Sequence, residues 1–507
     1  MNHRGTILVL LGILAGCWFN LGGVPLFDQD EGAFGEATRE MVASGNYLAT
    51  TVNGQPFYDK PILTFWLQAA AVHAFGPREA AVRLPSAIAS TLWIVALYLF
   101  VRRRYGERTG AAAAFMLATG AQIPIIAKAA IADALLNLFL ALTMGSIWLH
   151  LESGRRRYAR AAAACMALGF LTKGPIAIAI PLGASLAFVL CKKRVGAWTR
   201  ALADPVAIGL FVAIAAPWYV AEYRVLGPGF VRAFVLKHNI GRLAHPMEGH
   251  RGSLFYYIPV VLLGLLPYTV LLLRAAVRVR RWIGDDSLLF GAIWFALVFV
   301  FFSVSGTKLP HYVIYGYTPL FLLMALEIPN ARSDAILFSP ALLLFVAFLF
   351  LPEIATLAAP AVKDPFARLL MRESPQEFGH VYRIFFALAC AVSIAFMTVR
   401  SWDRTVKLAA IGLIATVGLN GFVMPAYARL AQEPIRQAAG LAKERGLDVI
   451  IWGVDAPSFL FYSQRLARSG APGPGDICLM RSTRLERLAT PPDILFERHG
   501  IVLARLP

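Results

Sequence analysis

Long apolar runs, broken at intervals by short polar stretches, fill the chain up to about residue 424. A helix needs ~20 apolar residues to cross the hydrocarbon of a bilayer. That template predicts about thirteen spans, near 5–23, 84–101, 110–127, 133–151, 159–172, 175–191, 204–222, 254–273, 288–304, 311–327, 335–351, 383–399 and 406–424. The breaks alternate in character. Arg102, Arg103, Arg104 and Arg108 follow the second span, Arg155, Arg156, Arg157 and Arg160 the fourth, and Lys192, Lys193, Arg194 and Arg200 the sixth. Arg274, Arg278, Arg280 and Arg281 follow the eighth, and Arg400, Arg404 and Lys407 the twelfth. Loops rich in Lys and Arg stay in the cytoplasm, so the N-terminus is predicted inside. The first run, MNHRGTILVLLGILAGCWF, starts basic but lacks a small-x-small cleavage site, and is predicted to stay as a span.

The odd-numbered exits then face the other compartment, in loops 24–83, 223–253 and 352–382 and in short turns. Within the first loop, GAFGEATREMVASG has helical spacing with Phe34, Ala37 and Met41 on one face and a glycine stop at Gly45, which predicts a short helix on the membrane surface. After Pro425 the pattern changes: DVIIWGV and DICLMR read as strands, PSFLFYSQRLA as a helix, and ILFERHGIVLARL as one or two closing strands. The fold class predicted is a polytopic α-helical membrane protein, 1–424, with a small α/β domain, 425–507, outside the cytoplasm.

Composition sharpens this. With 58% hydrophobic and 15% charged residues the chain is too apolar for a soluble protein, where roughly 45–50% and 25% are usual. The net charge of +18 is scattered over loops rather than gathered on one face, which argues against nucleic acid as a partner. Five cysteines show no paired spacing, so neither a disulfide framework nor a thiolate metal site is read. There is no P-loop, no GxGxxG after a strand and no repeat, which removes support for a nucleotide cofactor or ATP-driven transport.

Ionisable residues where a chain leaves lipid mark a site by default. Asp28, Asp30 and Glu31 cluster after the first span, and could equally cap the surface helix. Tyr58, Asp59 and Lys60 precede Pro61, where a snorkelling lysine and an aromatic belt are the bland alternative. Asp133 opens the fourth span as catalyst or cap. Lys173 sits in the tight turn LTKGP. KHNIGRLAHPMEGHRG supplies His238, Arg242, His245, His250 and Arg251, and histidines outside a membrane are more often solvated than metal-bound. SGTKLPHYVIYGYTP adds Lys308, His311 and Tyr312.

The order of these motifs (acidic loop, YDKP, an aspartate opening span four, TKGP, then KLPHY) resembles the GT-C class of polyprenyl-phosphate-sugar glycosyltransferases, in particular the lipid A aminoarabinose transferases and the protein O-mannosyltransferases. The resemblance covers the membrane half. It implies an inverting transfer of a sugar from a polyprenyl phosphate donor, with undecaprenyl as the lipid, to lipid A, another envelope glycan or protein at the periplasmic face of the inner membrane. It implies Asp30 as catalytic base, helped by Glu31 and Asp133. Tyr58, Lys60, Lys173, Arg242, Lys308 and Tyr312 would hold phosphate or substrate. A divalent ion would sit on Asp59 with His238, or His250 as the alternative. The aminoarabinose transferases place an arginine three residues after the aspartate, where this chain has Ala33, so the contact that arginine makes is missing. The rival readings are a protein O-mannosyltransferase and, from another class, a lipid or sugar transporter or flippase.

Overall fold

Proline decides where several apolar runs become separate helices. Pro267 lies between the helices Tyr257–Gly264 and Thr269–Val277 and divides the span expected over 254–273. Pro310 opens a 3-10 turn, Pro310–Gly316, so the span expected at 311–327 is helical in the α sense only over Thr318–Glu327. Near Pro352 the helix Asp334–Leu349 turns by 66° into Leu351–Ala361. A ring without an N–H interrupts the helical ladder and sharpens such breaks.

The computed structural model describes residues 3–230, 234, 241, 252–468, 470–488 and 490–507. Among them six helices are long and apolar enough to cross a membrane: Glu79–Tyr105, Asp133–Ser153, Pro205–Leu226, Asp286–Val304, His380–Thr398 and Arg404–Ala431. The bent pair is a seventh, and Arg4–Trp18, Leu63–Phe75, Ile176–Cys191 and Thr318–Glu327 are shorter apolar helices. The protein is a multi-pass membrane protein. Leu343, Ile384 and Leu388, all exposed, point outwards as lipid-facing residues do. One end of the bundle carries the arginine clusters, and there Asp204, Asp285, Ser333 and Asp403 cap helix starts by accepting backbone N–H bonds.

At the other end, the first polar loop holds two helices, of which only the first was expected. Asp30–Ser44 ends at Gly45, whose φ of 68° suits a residue without a Cβ, and it buries Phe34, Ala37 and Met41. Leu63–Phe75 packs beneath it. Gln68 in this second helix is fully buried, accepts from Thr38 Oγ1 (2.8 Å) and donates to the carbonyls of Val82 (2.9 Å) and Ala130 (3.1 Å).

The C-terminal residues form a four-stranded sheet. Val449–Ile451 pairs parallel to Ile477–Arg481, which pairs antiparallel to Ile501–Arg505, and Asp493–Arg498 closes the far edge. The last two strands join through His499 and Gly500, at φ 44° and 73°, the positive pair that a tight hairpin turn requires. The last membrane helix runs through Pro425 to Ala431, past the boundary expected at 424.

This sheet is tied back to the first loop by its helix Pro457–Ser463. The Ser458 N–H and Oγ both donate to Asp28, at 2.8 and 2.5 Å. The Leu26 N–H donates to Tyr462 Oη (2.7 Å), and the Ala467 N–H to Asn53 Oδ1 (2.8 Å). Gly32 makes the approach possible, because a Cβ there would lie 2.2 Å from Asp28 Oδ1 and 2.6 Å from the Ser458 nitrogen. Gly32→Ala is expected to cost about 1–3 kcal/mol through overpacking, read as a lowered midpoint of thermal unfolding in detergent. An unchanged midpoint would show that the two parts are not in close contact.

Candidate functional site

Asp30 is the first residue of the surface helix and is exposed. Its carboxylate makes no hydrogen bond to a described side chain or backbone group, so it is not acting as a helix cap. It lines a cavity of about 230 Å³, whose other charged walls are Asp59, Lys60, Asp133, Lys173 and His311, with Tyr312 beside them. The contributing elements are the surface helix, the YDKP turn, the N-terminus of Asp133–Ser153, the C-terminus of Arg156–Lys173 and the 3-10 turn.

Apart from Asp30, the carboxylates and lysines of this cavity are paired. Lys173 Nζ donates to both Asp133 oxygens, each at 2.8 Å, and Tyr315 Oη donates to Asp133 Oδ1 at 2.5 Å. His311 Nε2 lies 3.7 Å from the same oxygen. The Lys173 ammonium also stands over the rings of Tyr312 and Tyr315, at 5.5 and 5.4 Å, where the ring quadrupole attracts a cation. Asp133 is therefore no cap: its carboxylate turns sideways into the cluster. Lys60 Nζ donates to Asp59 Oδ2 at 2.5 Å. Lining the cavity are three aspartates against two lysines, which leaves an excess of carboxylates.

Three expected residues stand elsewhere. Glu31, the neighbour of Asp30, is buried, with both oxygens bound to Arg83 (2.9 and 2.7 Å) and further bonds from the N–H groups of Phe27 (3.0 Å) and Ala130 (2.7 Å). Burial alone would raise its pKa, but Arg83 and these N–H donors hold it below the usual carboxylate range. It fastens the loop to the helix Glu79–Tyr105 and does not line the cavity, because successive helical residues point about 100° apart and only Asp30 of the two faces it. Lys308 is buried and donates to the Ser303 and Ser305 carbonyls (2.8 and 2.7 Å), closing the end of the helix Asp286–Val304, and does not line the cavity. Tyr58 is half-buried against the main core and does not line the cavity. Arg242, His238 and His250 lie outside the described residues, and among the described residues no three His, Cys, Asp or Glu side chains cluster as metal ligands.

Sequence reasoning passed over two residues that the site uses. Arg83 stands at the edge of an apolar run, where a charge reads as an interfacial end. Tyr315 is three residues after Tyr312, and the 3-10 turn, with three residues per turn, brings the two rings onto one side. The prolines at 310 and 319 were the available signal.

Residues 59–220 match the dolichyl-phosphate-mannose-protein mannosyltransferase family. The undecaprenyl phosphate-alpha-4-amino-4-deoxy-L-arabinose arabinosyl transferase of Edwardsiella ictaluri is 31% identical over 317 residues, 60% of this chain and 56% of that protein. The chain thus spans little more than half the length of that relative. The enzyme of the same name from Yersinia enterocolitica is 28% identical over 420 residues, 81% of this chain and 74% of that protein. The crystal structure of ArnT from Cupriavidus metallidurans bound to undecaprenyl phosphate has a TM-score of 0.81 at 20% identity, covering 100% of this chain and 98% of that one. Its apo form scores 0.75, also at 20% identity, over 99% and 97%. The fold is shared over the whole described chain.

Asp28, beside the cavity, yields a test. Burial pushes its carboxyl pKa up from the usual carboxylate range to about 7. The folded state therefore binds a proton that the unfolded state releases, and this contribution to stability is full at acid pH and is lost as pH rises from about 4 through about 7. Asp28→Asn should flatten that part of the pH profile of thermal unfolding. An identical profile for both proteins would contradict the assignment.

Proposed function

We infer from these likenesses that the chain is a polyprenyl-phosphate-sugar glycosyltransferase of the GT-C class, moving one sugar from an undecaprenyl phosphate donor to an acceptor at the periplasmic face of the inner membrane. One observation supports this above all. One polar cavity, at the end of the bundle away from the arginine loops, joins a carboxylate without a partner among the described residues, Asp30, to two lysines and a tyrosine suited to phosphate. In the proposed step Asp30 takes the proton from the acceptor hydroxyl, and the oxygen attacks the anomeric carbon. The bond from that carbon to the phosphate oxygen breaks with its electron pair, which stays on the lipid phosphate. Lys60 and Lys173 stabilise the departing charge and Tyr312 donates a hydrogen bond to it. Displacement without a carboxylate nucleophile inverts the sugar carbon.

Asp133 serves this step as a positioning residue, since it holds Lys173 and Tyr315 together. The excess of carboxylates in the cavity leaves room for a further cation. Arg242 is proposed to supply it by gripping phosphate. A divalent ion suits the same deficit, with Asp59 as its oxygen ligand and His238 or His250 completing the set, and would add positive charge beside the phosphate. The acceptor proposed is an amphiphile of the outer leaflet such as lipid A. The helix Leu351–Ala358 supports this, since it stands at the same end and exposes Ile354 and Leu357. The proposed domain plan keeps the N-terminus in the cytoplasm and the C-terminal sheet in the periplasm.

Asp30→Asn is expected to lower transfer from an undecaprenyl-phosphate sugar in membrane vesicles by about 10²–10⁴-fold, the usual worth of a general base. Binding of undecaprenyl phosphate should persist. Undiminished transfer by a well-folded variant would remove Asp30 from the reaction.

A further inference from the structure

At the end of the bundle opposite the polar site lies a larger cavity, about 1090 Å³, between the helices Glu79–Tyr105, Asp133–Ser153, Asp286–Val304 and Thr318–Glu327. Its walls change character along their length. Leu97, Phe100, Met144 and Phe290 line an apolar shaft, and four arginines, Arg102, Arg103, Arg104 and Arg155, stand at the mouth with one acid, Glu152. It opens sideways, because Leu99, which lines it, is 54% exposed on a membrane helix. An occupant entering from the side comes from lipid.

Two features call for a polar, anionic partner as well as a greasy one. Arg104 is committed to Glu152 (2.5 Å) and lies over the Trp148 ring (5.1 Å), and Arg102 leans over the Tyr98 ring (5.7 Å). Arg103 and Arg155 have no acidic partner among the described residues, so the mouth carries surplus positive charge. Deeper in, Trp294 lines the cavity at 5% exposure, and its indole Nε1–H is buried without an acceptor among the described residues. A buried unpaired donor is costly to keep, and an ester carbonyl would satisfy it.

We propose that this cavity binds one anionic phospholipid from the adjoining leaflet, its chain in the shaft, its ester carbonyl on Trp294 Nε1 and its phosphate on Arg103 and Arg155. Basic pockets between membrane helices recognise anionic head groups in this way. The proposal stands apart from the sugar-transfer reading, since it uses none of the residues of the polar cavity.

The test is native mass spectrometry of the full chain with phosphatidylglycerol and phosphatidylcholine of matched acyl chains, added in turn. Phosphatidylglycerol should be retained preferentially, and the double variant Arg103→Gln, Arg155→Gln should lose that preference by about 25-fold, fivefold for each charge near the surface. Trp294→Phe should weaken retention of both lipids alike, because their ester groups are the same. Thermal unfolding of each variant at the parent midpoint establishes that the helices remain packed. Equal retention of the two lipids by the parent, or an unaltered preference in the double variant, would overturn the proposal. So would displacement of the lipid by soluble glycerol phosphate at comparable concentration, which would mark a phosphate site and not a lipid site.

Discussion

The buried contact between Glu31 and Arg83 holds the polar end of the molecule together. Glu31 receives both prongs of the guanidinium and the N–H groups of Phe27 and Ala130, while Arg83 also donates to the carbonyls of Leu21, Val24 and Pro25. One pair thus joins the exit of the first helix, the start of the surface helix, the second long span and the turn before Asp133. Burying two charges is costly, and removing one partner of such a pair typically costs about 3–5 kcal/mol. Here every lone pair and most donors are used, which is the condition under which a buried pair holds its geometry. Asp30 owes its place opposite Asp133 and Lys173 to this fastening of its neighbour.

A second set of contacts braces the same loop from outside. Asp28 is held by Ser458, Leu26 by Tyr462 and Asn53 by Ala467, so the C-terminal sheet acts on the site through the loop without lining the cavity. Inside it, the lysines arrive already paired with carboxylates. That arrangement fixes their positions before a ligand binds, and it also leaves the site short of positive charge. In the proposed reaction, phosphate would draw Lys60 or Lys173 from its partner, or meet a further cation.

Much of this was legible in the sequence, and the gaps have physical causes. Asp30, Lys60, Asp133, Lys173 and Tyr312 were singled out because charge and hydroxyl at a membrane exit are expensive to keep idle, and all five line one cavity. The same signal also picked out Glu31 and Lys308, which do not line it. Residue type says that a charge is needed but not whether it faces solvent or fastens two segments, and only packing tells them apart. Arg83 and Tyr315 were missed because their roles depend on partners far along the chain and on a local switch to a 3-10 turn. The strand order of the C-terminal sheet was equally out of reach, since its pairing is non-local, whereas its strands and its short helix followed from local pattern.

The account rests on the polar cavity as the seat of the lipid phosphate. A cryo-EM structure of the full chain with undecaprenyl phosphate tests it most directly. The account predicts phosphate density in the cavity, in contact with Lys60 or Lys173 and with Tyr312, and with Asp30 left free to face the acceptor. Phosphate density elsewhere in the protein, with this cavity holding only solvent, would contradict it.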